Sequence, residues 1–262
     1  MQEVIREING CHLTLWLNRP DKRNALSPEI LAGLTSAIRD VSSNPGIRTI
    51  TLAAKGPVFC AGADLEKLQQ ISGQTDEENY ADSHAIADLF LTILDSPKPF
   101  FARIQGDALA GGCGLVSVCD FSVADEAASF GYPEVRIGFV PAIVAVLLVR
   151  KIGEGKSRPL LLSGKKISAT AARDIGLIQE VVRQNELDPW LELARKPFEE
   201  AVSPDSVRLT RRLLMQTPGT GIDSAIDAAC QINVASRRTD DCREGIRAFL
   251  EKRKPQFGSR EK

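Results

Sequence analysis

The chain has 262 residues and carries 33 Lys and Arg against 34 Asp and Glu, a formal net charge of −1. At 43% hydrophobic and 26% charged residues it has the composition of a folded globular protein rather than a disordered or fibrous one, and its balanced charge argues against a dedicated nucleic-acid binder. No apolar run approaches the roughly 18–20 residues needed to cross a bilayer, because the longest, Phe139 to Val149, is broken by Pro141 and ends at Arg150 and Lys151.

The first residues, Met1-Gln2-Glu3-Val4, lack the basic-then-apolar pattern of a secretory signal. Val4 to Glu7 and Leu13 to Leu17 read as a β-hairpin turned at Asn9-Gly10. After the polar loop Asn18 to Asn24, Ser27-Pro28-Glu29 opens a helix with a cap, a proline in first position and an acid in the first turn. Ile30, Leu34, Ile38 and Val41 continue it at helical spacing until Asn44-Pro45-Gly46. Ile47 to Ala53 is a β-branched run that predicts a buried strand, and strand, helix, strand marks an α/β unit.

Gln69 to Glu78 is polar and predicts a mobile surface segment. A helix is expected from about Asn79 to Leu94, with Ile86, Leu89, Phe90 and Ile93 on one stripe. Pro97 and Pro99 lead into a short strand, Phe100 to Ile104. Gly111 to Val118 reads as a glycine-opened helix and Phe121 to Ala124 as a strand. The run from Val144 is helical, and Leu177 to Val182 is the last strand. Beyond Asn185 only helices are expected, separated by Ser203-Pro204 and Thr217-Pro218-Gly219. The chain therefore divides into an α/β core over 1–195 and a helical region over 196–262. In the latter, Arg211-Arg212 and Arg237-Arg238 read as solvated helix faces or subunit contacts.

Six cysteines (Cys11, Cys60, Cys113, Cys119, Cys230, Cys242) show no C-x-x-C pair and no zinc-type spacing. They are expected to be reduced thiols, used as small hydrophobes in a cytoplasmic protein without a metal site. Only His12 and His84 could serve a nucleophile, and neither lies in a nucleophile motif.

Three segments can carry chemistry. Phe59-Cys60-Ala61-Gly62-Ala63-Asp64-Leu65 and Gly106-Asp107-Ala108-Leu109-Ala110-Gly111-Gly112-Cys113-Gly114 each join a strand to a helix. Unpaired N–H groups and the helix dipole at such places bind a phosphate or a developing oxyanion; the alternative is a tight turn with close packing. Neither loop fits the dinucleotide or P-loop pattern, which disfavours nucleotide redox chemistry and phosphoryl transfer. The third segment, Ala128 to Pro141, sets Glu134 in mainly apolar surroundings. Burial would raise its pKa and suit it to proton transfer near neutral pH; otherwise it is an ordinary acid opening a helix after Pro133.

In this order the segments resemble the crotonase (enoyl-CoA hydratase/isomerase) superfamily, closest in texture to enoyl-CoA hydratase and methylglutaconyl-CoA hydratase-like members. The resemblance begins with Asn18-Arg19-Pro20 and Arg23-Asn24-Ala25-Leu26. It continues through the two glycine loops, Cys119-Asp120 and Phe130-Gly131-Tyr132-Pro133-Glu134 to Phe249-Leu250-Glu251-Lys252-Arg253. It implies an α/β, crotonase-like spiral of ββα units with a C-terminal helical trimerisation region, forming homotrimers that often pair into hexamers. The implied substrate is an acyl-CoA thioester, with no separate cofactor, metal, nucleic acid or membrane. The N–H groups of Ala63 and Gly111 would polarise the thioester carbonyl and stabilise an enolate; losing one such donor typically costs about 3 kcal/mol. Glu134 would move the proton. Arg23 and Ala25 would lie beside the CoA phosphates and pantetheine, and Ala61, Asp64 and Leu65 at the adenine end. Phe249 and Lys252 would reach the nucleotide from a neighbouring subunit.

One position departs from the family pattern. Its well-known hydratases carry two glutamates, and the chain has Glu134 but Gly114 at the other position. Two carboxylates divide syn-hydration between water activation at C3 and proton delivery to C2. A single one can shuttle a proton between C2 and C4, as in a Δ3,Δ2-enoyl-CoA isomerase. The texture around Ala110 to Leu115 and Ile137 to Ala142 resembles the hydratase branch. Reversible hydration is thus the first reading, isomerisation the second and a non-catalytic acyl-CoA-binding member the third. In the first, Glu134 also holds the water or Asp107 compensates. A glutamate restored at position 114 would raise hydration if the pocket has room, and Gln69 to Asp82 is expected to shape the acyl pocket.

Overall fold

The computed structural model describes residues 2–64 and 73–258. Strands β1 (Val4–Asn9) and β2 (His12–Leu17) form the expected hairpin, with Asn9 opposite His12 across the turn Gly10-Cys11. Ser27 caps α1 (Pro28–Ser42), its Oγ accepting the Ile30 N–H at 3.1 Å, as the Ser-Pro-Glu start requires. The stripe Ile30, Leu34, Ile38 and Val41 is buried. Next come β3 (Thr49–Ala54), α2 (Asp76–Asp95) and β4 (Phe100–Ile104). Thr75 and Glu78 make a capping box that starts α2 earlier than the apolar stripe alone indicates.

From β4 onward the chain repeats a strand–strand–helix unit. β4 is followed by β5 (Ala108–Leu109) and α3 (Gly111–Val118). β6 (Phe121–Asp125) is followed by β7 (Ser129–Gly131), a 3-10 turn over Pro133–Ile137 and α4 (Ala142–Ile152). In each unit the first strand joins a six-stranded sheet of order β1-β2-β3-β4-β6-β9, with β9 at Glu180–Val182, and the second joins a three-stranded sheet of order β5-β7-β8, with β8 at Ile167–Ser168. This is the expected spiral. The remaining core elements are α5 (Glu154–Ser163), β8 (Ile167–Ser168), α6 (Ala169–Asp174) and β9 (Glu180–Val182).

Beyond the first hairpin the large sheet is parallel, so both its faces must be covered. Alternate residues of β4 show how. Phe100, Ala102 and Ile104 enter the main core with α1 and α2, while Phe101 points to the other face and packs with Val123, Leu187 and Leu191. The last two belong to α7 (Leu187–Glu200), a helix that runs through position 195, the expected boundary of the core. Three more helices follow: α8 (Pro204–Gln216), α9 (Ile222–Arg237) and α10 (Asp240–Leu250).

Arg211 corrects a sequence expectation. It is neither a solvated face nor a subunit contact but a buried tie from α8 to the core. Its guanidinium pairs with Asp120 and donates to the carbonyls of Ser96 (2.9 Å) and Ile93 (2.8 Å). These oxygens are at the C-terminus of α2, where the helix dipole favours a cation. Arg212, its neighbour, is exposed. Among the described residues no helix is long and apolar enough to cross a membrane, and all six cysteines are free thiols.

Candidate active site

Main-chain hydrogen bonds join the three chemistry-bearing segments edge to edge. The Leu26 N–H donates to the Gly62 carbonyl (2.8 Å), fixing a parallel bridge between Leu26 and Ala63. Cys60 donates to the Asp107 carbonyl (3.1 Å) and accepts from the Leu109 N–H (2.9 Å). Ala110 then donates to the Gly131 carbonyl (2.8 Å), three residues before Glu134.

Gly62 holds the two loops together. Its φ is +93°, and a Cβ there would lie 2.6 Å from Ala110 Cβ and 3.3 Å from the Gly111 nitrogen, so only glycine allows the approach. Ala63 is therefore carried beside the start of α3. Ala63 is exposed and Gly111 partly so, and neither N–H donates to another described residue. Gly111 is the first residue of α3, where an orphan donor is inherent to the helix. Ala110 before it has φ +50°, an unfavourable conformation for a residue with a Cβ, of the kind that surrounding structure enforces at functional sites.

Glu134 lies in the first turn of the 3-10 segment and is half-buried, and its Oε2 is a buried oxygen without a hydrogen-bond partner among the described residues. Burial pushes its carboxyl above the ordinary range, partly opposed by a backbone hydrogen bond. It interacts electrostatically with Cys113 in the first turn of α3 and with Tyr132. Cys113 is more than a small hydrophobe. Its Sγ–H donates to the Ala108 carbonyl (2.9 Å) and its sulfur accepts from the Gly131 N–H (3.3 Å), so it pins the glutamate segment to α3. Burial raises the thiol to about 12, so it stays protonated.

The space beside Gly114 is filled. A Cβ there would lie 2.6 Å from Phe90 Cζ and 2.9 Å from Val144 Cγ1, so the room a restored glutamate needs is absent. Asp107 is committed elsewhere: its carboxylate meets Lys166 Nζ at 2.9 Å and Arg23 Nη2 at 3.8 Å. The compensating role expected of it lacks support, because two cations already hold it. Lys166 was not singled out by its local sequence, since its cation meets Arg23 only through an acid 59 residues away.

The other sequence-predicted residues divide. Arg23 is exposed, with φ +54°, and its carbonyl accepts the Ala61 N–H at 3.0 Å. This brings Arg23 and Ala61 to the rim of the first loop. Asn24 fixes the bend beneath them through its side-chain amide, which donates to the carbonyls of Lys55 (2.9 Å) and Val58 (2.7 Å). Ala25 is buried, and Asp64 is turned inward to an ion pair with Arg19. Leu65 lies outside the described residues, as do the first four residues of the acyl-pocket segment expected over Gln69 to Asp82. Phe249 on α10 is 83% exposed, and Lys252 follows in a left-handed turn.

The family model for enoyl-CoA hydratase/isomerase matches residues 7–260. A Thermus thermophilus protein provisionally named an enoyl-CoA hydratase is 42% identical over 97% of this chain and 100% of its own. The crotonyl-CoA hydratase of Syntrophomonas wolfei is 33% identical over 99% of both chains. The crystal structure of an enoyl-CoA hydratase from Mycobacterium smegmatis superposes with a TM-score of 0.91 at 31% identity, covering 98% of this chain and 99% of that one. With its spiral of ββα units, its paired glycine loops and these matches over nearly its whole length, the chain belongs to the enoyl-CoA hydratase/isomerase family.

Proposed function

We infer that the protein is an enoyl-CoA hydratase, a lyase that adds water reversibly and syn across the C2=C3 bond of an acyl-CoA thioester. The observation that carries this reading is the pair of N–H groups, Ala63 and Gly111, without an acceptor among the described residues, on loops joined through the Ala110–Gly131 hydrogen bond to the segment of Glu134. The thioester oxygen accepts from both donors, which stabilise it most when it carries the enolate charge. Water adds at C3 and the enolate takes a proton at C2. Glu134, whose carboxyl burial raises above the ordinary range, delivers that proton, takes up the one the water loses on adding at C3, and reverses both transfers in the other direction. With one carboxylate, Glu134 also orients the water.

The remaining assignments follow the family pattern. Arg23 meets the CoA phosphates, with Ala25 along the pantetheine and Ala61 toward the adenine; beyond that pattern, Lys166, which shares Asp107 with Arg23, adds a second cation beside the phosphates. Phe249 and Lys252 of one subunit cover the nucleotide on the next within a homotrimer, or a hexamer of two trimers. The exposure of Phe249 supports this, since a large apolar ring at a surface gains from a partner. CoA enters as part of the substrate, with no separate cofactor, and the enzyme works in the cytoplasm.

The packing of Phe90 and Val144 against Gly114 favours a second reading, Δ3,Δ2-enoyl-CoA isomerisation with Glu134 as sole proton shuttle between C2 and C4. Purified protein with crotonyl-CoA decides. Loss of the conjugated-enoyl absorbance is expected for the hydratase. Conversion of a 3-enoyl-CoA to a conjugated product, with crotonyl-CoA untouched, would replace it by the isomerase. Binding of CoA esters without either reaction would reject both in favour of an acyl-CoA-binding protein.

A further inference from the structure

Apart from the glycine loops, three metal-ligating side chains meet where the hairpin turn abuts the last turn of α7. Cys11 Sγ lies 3.9 Å from His12 Nε2, and His12 Nε2 lies 3.8 Å from Glu199 Oε2. The three ligand atoms all fall within 4.8 Å of one another. A tetrahedral zinc with bonds of about 2.0–2.3 Å spaces its ligands roughly 3.3–3.8 Å apart. The trio is thus within a small side-chain adjustment of closing on one ion.

Three further observations point the same way. His12 Nδ1 is 2.5 Å from Oγ1 of the fully buried Thr49. A ring whose Nδ1–H donates there presents the Nε2 lone pair to Cys11 and Glu199, the outer-shell arrangement that orients a metal-bound imidazole. The spacings to His12 are too long for strong hydrogen bonds. Finally, the ligands are anchored from different elements. The Cys11 carbonyl accepts from the Arg48 (2.7 Å) and Thr49 (3.4 Å) N–H groups at the entry to β3, and Glu199 comes from α7.

We propose that Cys11, His12 and Glu199 bind one divalent cation of the zinc class, with water as fourth ligand, clamping the β1–β2 turn to the end of α7. Thiolate, neutral imidazole and carboxylate suit zinc and exclude the all-oxygen preference of magnesium or calcium. The two anionic ligands balance the dication, and the Cys11 proton leaves to solvent on binding.

The test is a titration of the metal-free full-length protein with Co2+, followed by displacement with Zn2+. One equivalent is expected to give the visible bands of a tetrahedral site together with a thiolate-to-cobalt charge-transfer band. Cys11→Ser should abolish the charge-transfer band, while Cys230→Ser and Cys242→Ser leave it intact. Thr49→Val should weaken Zn2+ affinity about 10–100-fold through the outer shell, and Glu199→Gln at least as much. Circular dichroism confirms that each variant is folded. A folded wild-type protein with no stoichiometric thiolate band, or a band that survives Cys11→Ser, overturns the proposal.

Discussion

Phe90 and Gly114 divide one volume between them: the ring Cζ of the first lies 2.6 Å from where a Cβ on the second would be. Gly114→Glu is therefore expected to destabilise the fold by about 1–3 kcal/mol through overpacking, with a further cost for burying a carboxylate. Urea unfolding measures the loss. Adding Phe90→Ala should recover part of it by vacating the ring volume. A single variant as stable as the parent, and faster at hydration, would show that the new side chain escapes into open space.

Glu134→Gln should lower turnover about 10²–10⁴-fold, the range for loss of a general acid or base, with KM for the CoA ester nearly unchanged. Steady-state kinetics on crotonyl-CoA check it. A variant with near-parental turnover would remove Glu134 from the reaction.

The same residue makes a prediction about stability. Burial raises its carboxyl above the ordinary carboxylate range, so the folded state retains a proton that the unfolded chain releases. Its contribution is full below the unfolded pKa and declines as pH rises through the folded one. Relative to the parent, Glu134→Gln should gain stability as pH rises from about 4, where the unfolded carboxylate ionises. Urea midpoints of both proteins over that rise in pH would show the trend, and a constant gap would mean an acid that titrates as if exposed.

Gly62→Ala places a methyl 2.6 Å from Ala110 Cβ at a φ of +93°, forcing the glycine loops apart. Displacing the donors by about 1 Å is expected to cost about 10²-fold in kcat, with secondary structure retained. Circular dichroism beside kinetics separates this from unfolding.

Arg211→Met leaves Asp120 without its cation and the Ile93 and Ser96 carbonyls without their donor. Leaving these acceptors without the guanidinium costs about 1–3 kcal/mol, since Asp120 is only half-buried and keeps the Phe100 N–H, which denaturant unfolding should report. Arg211→Lys should rescue little, because an ammonium cannot span all three acceptors in the guanidinium's fork.

What could be read from the sequence was local. The Ser27 cap, the strand Phe100–Ile104 and the glycine-opened helix Gly111–Val118 follow from neighbouring residues, and the structure reproduces them. The small sheet could not be read, because strands of two or three residues carry no periodicity. Arg211 looked like surface because its acid is 91 positions away in the chain. Apolar context gave Glu134 a plausible chemistry, but the crowding at Gly114 depends on Phe90 from another helix. The ligands of the proposed metal clamp hid for the same reason. Cys11 and His12 are adjacent, and the third arrives on a helix near the end of the core.

The seams at Leu26–Ala63, Cys60–Ala108 and Leu109–Gly131 are made chiefly of peptide groups, with Cys113 Sγ bonded into the last two. A lineage can exchange the residues that frame an acyl chain or a nucleotide without disturbing the alignment of amides and acid, since that alignment rests on the main chain, a few glycines and the side chains of Asn24 and Cys113. New substrates then become accessible by small edits around a fixed frame, and change in specificity is decoupled from risk to the fold.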